Sequence, residues 1–162
     1  MYKRQELEKL GKDLFFDNKT QCSSCHAGAN FSAPDFPGGE YGGSSFGGGL
    51  NVRGTTNIGL DLITDDSGLR DGRFRIPTLR NVALTGPYMH DGRFETLEDV
   101  VEHYDNGIQA HAQLDEKFIS TNGSPIRMNL TTLEKRALIA FLHTLTDEHF
   151  VGDPMYSDPF KK

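Results

Sequence analysis

The sequence predicts an all-α domain with long irregular loops. Three features carry this reading: separate segments place apolar residues at helical spacing, two of them open on capping signals, and a glycine-rich stretch between them has no sustained period of either kind. In chain order, Glu6 to Phe16 sets Leu7, Leu10, Leu14 and Phe15 on one helical face, and Asp17-Asn18 ends it. Residues 38–49 hold seven glycines in twelve positions, interspersed with Tyr41 and Phe46 and preceded by Phe36, and read as an irregular loop packed by its aromatics. Asn51 to Arg75 reads as loop with one or two short turns. Pro77 to Leu84 fits a short helix with proline at its first position. Thr96-Leu97-Glu98-Asp99 supplies a cap and a third-position acid for a helix with Leu97, Val100, Val101 and Tyr104 on one face, stopped by Asn106-Gly107. Thr131-Thr132-Leu133-Glu134 is a second capping box. It opens the most apolar helix, with Leu133, Ala137, Leu138, Phe141, Leu142 and Leu145. The tail from Asp153 is expected to be irregular and exposed.

The 162 residues suit one domain, with residues 33–75 as a loop-rich insertion and 153–162 as a tail. Only 36% of the residues are hydrophobic and none is tryptophan, so either much of the chain is loop or something other than side chains fills part of the interior. A net charge of -6 argues against a nucleic-acid partner. No run of apolar residues is long enough to span a membrane. The first residues lead into a charged helix and carry no apolar signal-peptide core, which fits a cytoplasmic chain or a mature or excised piece.

Cys22-Ser23-Ser24-Cys25-His26 is C-x-x-C-H, the attachment sequence for a c-type haem. Two thiols at this spacing match the two porphyrin vinyl groups, and the adjacent imidazole reaches the iron as proximal ligand. One covalent haem c also accounts for the modest apolar content. A thioredoxin-like pair wants a βαβ setting, and no strand pattern precedes Cys22. A zinc site needs further ligands, and His90, His103, His111, His143 and His149 show no ligand-pair spacing with a cysteine.

Around this motif the chain resembles the C-terminal haem domain of the bacterial di-haem cytochrome c peroxidase/MauG family. The resemblance rests on L-G-K-D-L-F-F-D (Leu10 to Asp17), C-S-S-C-H, the stretch P-T-L-R-N-V-A-L-T-G-P-Y-M-H-D-G-R-F-E-T-L-E-D-V-V-E-H-Y (Pro77 to Tyr104), and L-T-T-L-E-K-R-A-L-I-A-F-L-H-T-L-T-D (Leu130 to Asp147). It implies a cytochrome c-like helical fold around the haem and a periplasmic location, with the leader absent from this chain. In the family the C-terminal haem relays electrons from a small donor protein to an N-terminal haem that reduces hydrogen peroxide. The chain departs from the pattern in having a single C-x-x-C-H and no room for the N-terminal domain. It therefore reads as an electron-carrying monohaem domain, either excised or a natural single-haem relative. Its expected partner is a small redox protein or a peroxidatic haem domain. The alternative is a haem enzyme acting on peroxide at an open or tyrosine-ligated iron, and a third reading is a module that binds a diatomic ligand.

The sixth iron ligand separates these readings. Tyr104 occupies the position where the resemblance places a ligand methionine in the peroxidases and a ligand tyrosine in MauG. Met128 precedes the last helix, where simple cytochromes c carry their methionine. Met89, in P-Y-M-H-D-G, is a third candidate, and a histidine or an open site remain. Tyr104 and Met128 also read as ordinary core residues, and among the candidates Tyr104 is placed first. Arg70, Arg73, Arg75, Arg80 and Arg93 fall in a stretch without lysine, and Arg75 and Arg80, beside Pro77, are the expected propionate contacts. His90-Asp91 reads as a turn histidine bonded to its neighbour ahead of an acid/base pair. Asp61, Asp65, Asp66 and Asp71 do not follow calcium-loop spacing. The resemblance implies a calcium ion held by backbone oxygens of a T-x-P segment, which Thr85-Gly86-Pro87 matches.

Overall fold

In the computed structural model, described for residues 3–32, 55–61, 72–157 and 160, two requirements shape the first helix: it must bury an apolar face and it must approach another helix closely. Helix α1 (Arg4–Phe15) opens with the Glu6 carboxylate accepting the Lys3 backbone N–H at 3.0 Å and buries Leu14 and Phe15, with Leu7 and Leu10 packed alongside. Its partner is helix α3 (Thr132–His143), and this is the most extensive helix–helix contact among the described residues. Gly11 permits it, because a Cβ there would lie 1.9 Å from the Ala137 carbonyl oxygen. The Phe15 ring sits 5.2 Å from Phe141 and 5.8 Å from Phe31, centroid to centroid, which extends the crossing into an aromatic cluster.

Both capping boxes form as the sequence predicts. Thr96 Oγ1 accepts the Asp99 N–H at 3.2 Å while Asp99 accepts the Thr96 N–H at 3.0 Å, opening helix α2 (Leu97–Glu102). Thr131 and Glu134 do the same for α3 at 3.2 and 2.7 Å. Each cap is worth about 1 kcal/mol. Helix α2 buries Leu97 and Val101, and α3 buries Ala137, Leu138, Phe141 and Leu142. Asn106-Gly107 does end the helical run, but the last turn from His103 to Gly107 is a π-turn, a widened register common where a side chain has to be re-aimed.

Three expectations need correction. The fold is mostly helical but not purely so: strand β1 (Thr55–Thr56) pairs antiparallel with β2 (Phe74–Arg75), Thr55 opposite Arg75 and Thr56 opposite Phe74. Two-residue strands have no period to detect. The helix expected over Pro77 to Leu84 is reduced to a 3-10 turn, Val82–Leu84. Tertiary bonds override its propensity. Thr78 Oγ1 donates to the Asn30 carbonyl, and Asn81 adopts φ 59° while its N–H donates to the Leu145 carbonyl at 3.0 Å. The tail is exposed, with Met155 79% and Tyr156 61% accessible. It is nevertheless ordered by Asp153 capping a 3-10 turn over Pro154–Tyr156, after a short helix α4 (Glu148–Gly152) that Asp147 caps. The glycine-rich stretch with Phe36, Tyr41 and Phe46, and also Asp65, Asp66, Arg70 and Asp71, lie outside the described residues.

Candidate functional site

Cys22 opens a 3-10 turn, Cys22–Ser24, that follows Gln21 in the left-handed region at φ 53°. The buried Thr20 anchors its approach by donating to the Leu14 carbonyl at 2.5 Å. The N–H groups of Cys25 and His26 both donate to the Cys22 carbonyl, at 3.2 and 3.0 Å. This short loop turns both sulfurs and the imidazole to the wall of one cavity of about 390 Å³, whose remaining lining is largely aliphatic and aromatic. Both cysteines are free thiols. Burial pushes the Cys22 thiol up, so it stays protonated.

His26 Nδ1 lies 3.1 Å from the Phe31 carbonyl, and the Pro77 carbonyl also reaches the ring. A carbonyl can only accept, so Nδ1 carries the proton and Nε2 keeps its lone pair. Burial, outweighing both carbonyls, lowers the pKa of the ring and keeps it neutral. A neutral imidazole oriented through its other nitrogen is the form a metal ligand requires.

The same cavity gathers Tyr104, Met128, Met89 and Arg75. Tyr104 projects from the π-turn, half-buried and in ring contact with His103 and Phe118. Burial first, then the nearby Cys25 and Cys22, push its phenol well above the usual range, so the polypeptide alone holds it neutral. Met128 is buried in the main core cluster. Met89 is half-buried in a turn at φ 73°. Arg80 is placed differently from Arg75. Its guanidinium donates twice to the Ala29 carbonyl, at 3.0 and 2.6 Å, and lies over the Phe31 ring, outside the cavity lining. It braces the loop that presents the Phe31 carbonyl to His26.

Arg93 is bonded to Asp61 and Asp91, and Arg73 to the Thr55 carbonyl. With Asp91 so engaged, His90 stacks on Phe74 at the cavity wall, centroids 3.5 Å apart. A shallower groove of about 430 Å³, lined by Arg93, Glu102 and His103 among others, carries neither cysteine and is separate from this chemistry. Among the described residues no group of three or more His, Cys, Asp or Glu converges on a metal position. The expected T-x-P calcium segment shows Thr85 Oγ1 donating to the Val82 carbonyl at 3.2 Å.

Sequence reasoning passed over Asp105. It is 1% exposed, yet its carboxylate accepts the Leu130 N–H at 2.8 Å and meets Lys135 Nζ at 2.6 Å. Its sequence neighbours give no signal of this, because Leu130 and Lys135 lie on the next loop and on α3.

A helical fold closed over an apolar cavity, with C-x-x-C-H on its wall and thioether and phenol side chains alongside, defines the class as a domain of cytochrome c type. More narrowly, the di-haem cytochrome c peroxidase family profile matches residues 5–149, and the chain belongs to that family. It is 31% identical over 135 residues to the methylamine utilization protein MauG of Methylorubrum extorquens, covering 82% of this chain and 33% of that protein. It is 39% identical over 105 residues to cytochrome-c peroxidase IdrP2 of Pseudomonas sp. (strain SCT), covering 64% of this chain and 25% of that protein. A solved MauG-like protein associated with microbial copper homeostasis superposes with a TM-score of 0.70 at 34% identity, over 96% of this chain and 51% of that one. The chain thus spans about a quarter to a third of these two curated relatives and about half of the solved one.

Proposed function

We propose that the chain is a periplasmic electron-carrying domain with one covalent haem c. In this reading Cys22 and Cys25 hold the haem through thioethers, each S–H adding across a vinyl double bond, and His26 ligates the iron through Nε2. The observation that carries the reading is the convergence on one apolar cavity of both thiols, a neutral imidazole with its Nδ1 bonded to a carbonyl, and three further donor side chains. When bound, the haem supplies a one-electron couple whose potential its axial ligands tune over about 0.8 V. Arg75 lines the cavity with an exposed outer part, as a side chain pairing with a propionate at the rim would. The partner is a small redox protein or a peroxidatic haem domain, since an iron that His26 and one of Tyr104, Met128 or Met89 would both hold would pass electrons and leave no position for substrate.

One observation favours the enzyme reading as the second choice: Tyr104 reaches the cavity from a π-turn. A phenolate ligand would favour the ferric state. Burial opposes that phenolate, whereas the Met128 thioether needs no ionisation at all. Spectroscopy of the ferric haem-loaded chain separates the two. An electron carrier gives a six-coordinate spectrum that peroxide leaves unchanged. With methionine ligation it also shows the weak sulfur-to-iron band at the red end of the visible range, which a Met128→Ala change abolishes. Loss of the parent spectrum in Tyr104→Phe, with no sulfur band in the parent, assigns the position to Tyr104. A five-coordinate parent that reacts with peroxide overturns the electron-carrier reading.

A further inference from the structure

We infer that Asp105 is a positioning residue that fixes the iron's second axial ligand by clamping the Tyr104 turn to the Met128 loop. The inference rests on the haem reading above. Asp105 immediately follows Tyr104 within the π-turn, and it touches the neighbouring loop twice. Its backbone carbonyl accepts the Met128 N–H at 3.2 Å, and its carboxylate accepts the Leu130 N–H at 2.8 Å. Between these two points Asn129 takes a left-handed conformation at φ 52°, which turns its own side chain outward and leaves Met128 and Leu130 both buried. One residue therefore holds the backbone on both sides of Met128 and is bonded directly to Tyr104.

The carboxylate is itself anchored. Lys135 Nζ from α3 lies 2.6 Å from Asp105 Oδ2, Asn106 Nδ2 donates to the same oxygen at 2.9 Å, and Lys135 also meets Glu102 at 2.5 Å. A carboxylate that is 1% exposed is retained only where its partners compensate its desolvation, and every partner here belongs to the turn, the loop or the helix bounding the cavity. Removing it leaves the Leu130 N–H without its acceptor and Lys135 without one of its two countercharges. The clamp then keeps only its backbone bond to Met128 and loses its hold at Leu130, whichever of Tyr104 and Met128 reaches the iron.

Cyanide binding to the ferric haem-loaded chain reads this directly, because cyanide enters when the second ligand lets go. Asp105→Ala is expected to raise the cyanide association rate about tenfold, the equivalent of about 1.4 kcal/mol, and to speed amide exchange at Met128 and Leu130. Asp105→Asn keeps an oxygen for the Leu130 N–H and is expected to stay within about threefold of the parent. Lys135→Met, which frees the carboxylate to wander, is expected to raise the rate about threefold, and it decides the matter if Asp105→Ala fails to fold. An unchanged rate in both Asp105→Ala and Lys135→Met overturns the proposal, as does an Asp105→Asn rate as high as that of Asp105→Ala. A parent chain lacking covalent haem refutes the haem reading instead. Amide exchange at Met128 and Leu130, measured on that same chain and its Asp105→Ala variant, then still decides whether the clamp exists.

Discussion

Replacing Gly11 by alanine is expected to pry α1 from α3. The new Cβ would lie 1.9 Å from the Ala137 oxygen, 2.5 Å from its carbonyl carbon and 2.8 Å from Phe141 Cβ. Two of these are backbone atoms in the middle of a helix, which no rotamer change can move aside. Relief requires the helices to part by about 1 Å, and a gap of that size forfeits about a quarter to a half of each dispersion contact across the interface. The Phe15–Phe141 pair and the burial of Leu14 and Leu138 lie on that interface. Overpacking costs typically about 1–3 kcal/mol and sometimes more, against about 1 kcal/mol returned by alanine's better helix propensity. With backbone on the receiving side the upper end applies, and the net loss is about 2 kcal/mol. For a chain of this length that lowers the melting temperature by roughly 4–8 °C. Thermal unfolding followed by circular dichroism measures it, with Gly152→Ala as the control. Gly152 closes the exposed helix α4 with nothing within 4 Å of a built Cβ, so alanine there should change stability by less than about 1 kcal/mol. A Gly11→Ala protein melting with the parent would refute the close-crossing argument.

Acid stability follows from the second capping box. The bond from Lys19 first, then the Thr131 N–H, hold the Glu134 carboxyl at about 2, below the ordinary 4.5. A depressed carboxylate stabilises the fold above the higher value, and that contribution disappears as pH falls toward the lower one. Glu134→Gln should therefore cost about 1–2 kcal/mol near neutral pH after solvent screening. The gap in urea midpoint should close steadily below pH 4.5, and a gap independent of pH would contradict the assignment. Cys22→Ala/Cys25→Ala chains should lose their cooperative melt and become protease-sensitive. Their short helices depend on packing, and without covalent haem the apolar cavity lining faces water. A sharply melting, protease-resistant double variant would refute that dependence.

What the sequence made legible was local chemistry. Thr96 with Asp99, and Thr131 with Glu134, are contiguous signals that predict two helix starts, and both form. The C-x-x-C-H motif is equally local, and its thiols and imidazole do share one cavity. Tyr104, Met128 and Met89 all reach that cavity as well, so the structure brings the three ligand candidates together without ranking them. The features that escaped depend on distant partners. Asp105 is separated from Leu130 and Lys135 by a long loop, and a buried carboxylate looks like any surface acid in a string of letters. Arg80 donates to the carbonyl of Ala29, far back in the chain, a contact that its own neighbours do not signal. The Pro77–Leu84 helix was displaced by the bonds of Thr78 and Asn81 to remote backbone. The two-residue strands are too short to carry any pattern.

The intact mass of the purified chain, produced in the periplasm of a host that matures other c-type cytochromes and measured under denaturing conditions, tests the central claim most directly. The account predicts the polypeptide plus one haem, with the added mass surviving denaturation and vanishing in Cys22→Ala/Cys25→Ala. A bare polypeptide mass from that host, while its other c-type cytochromes mature normally, would contradict it.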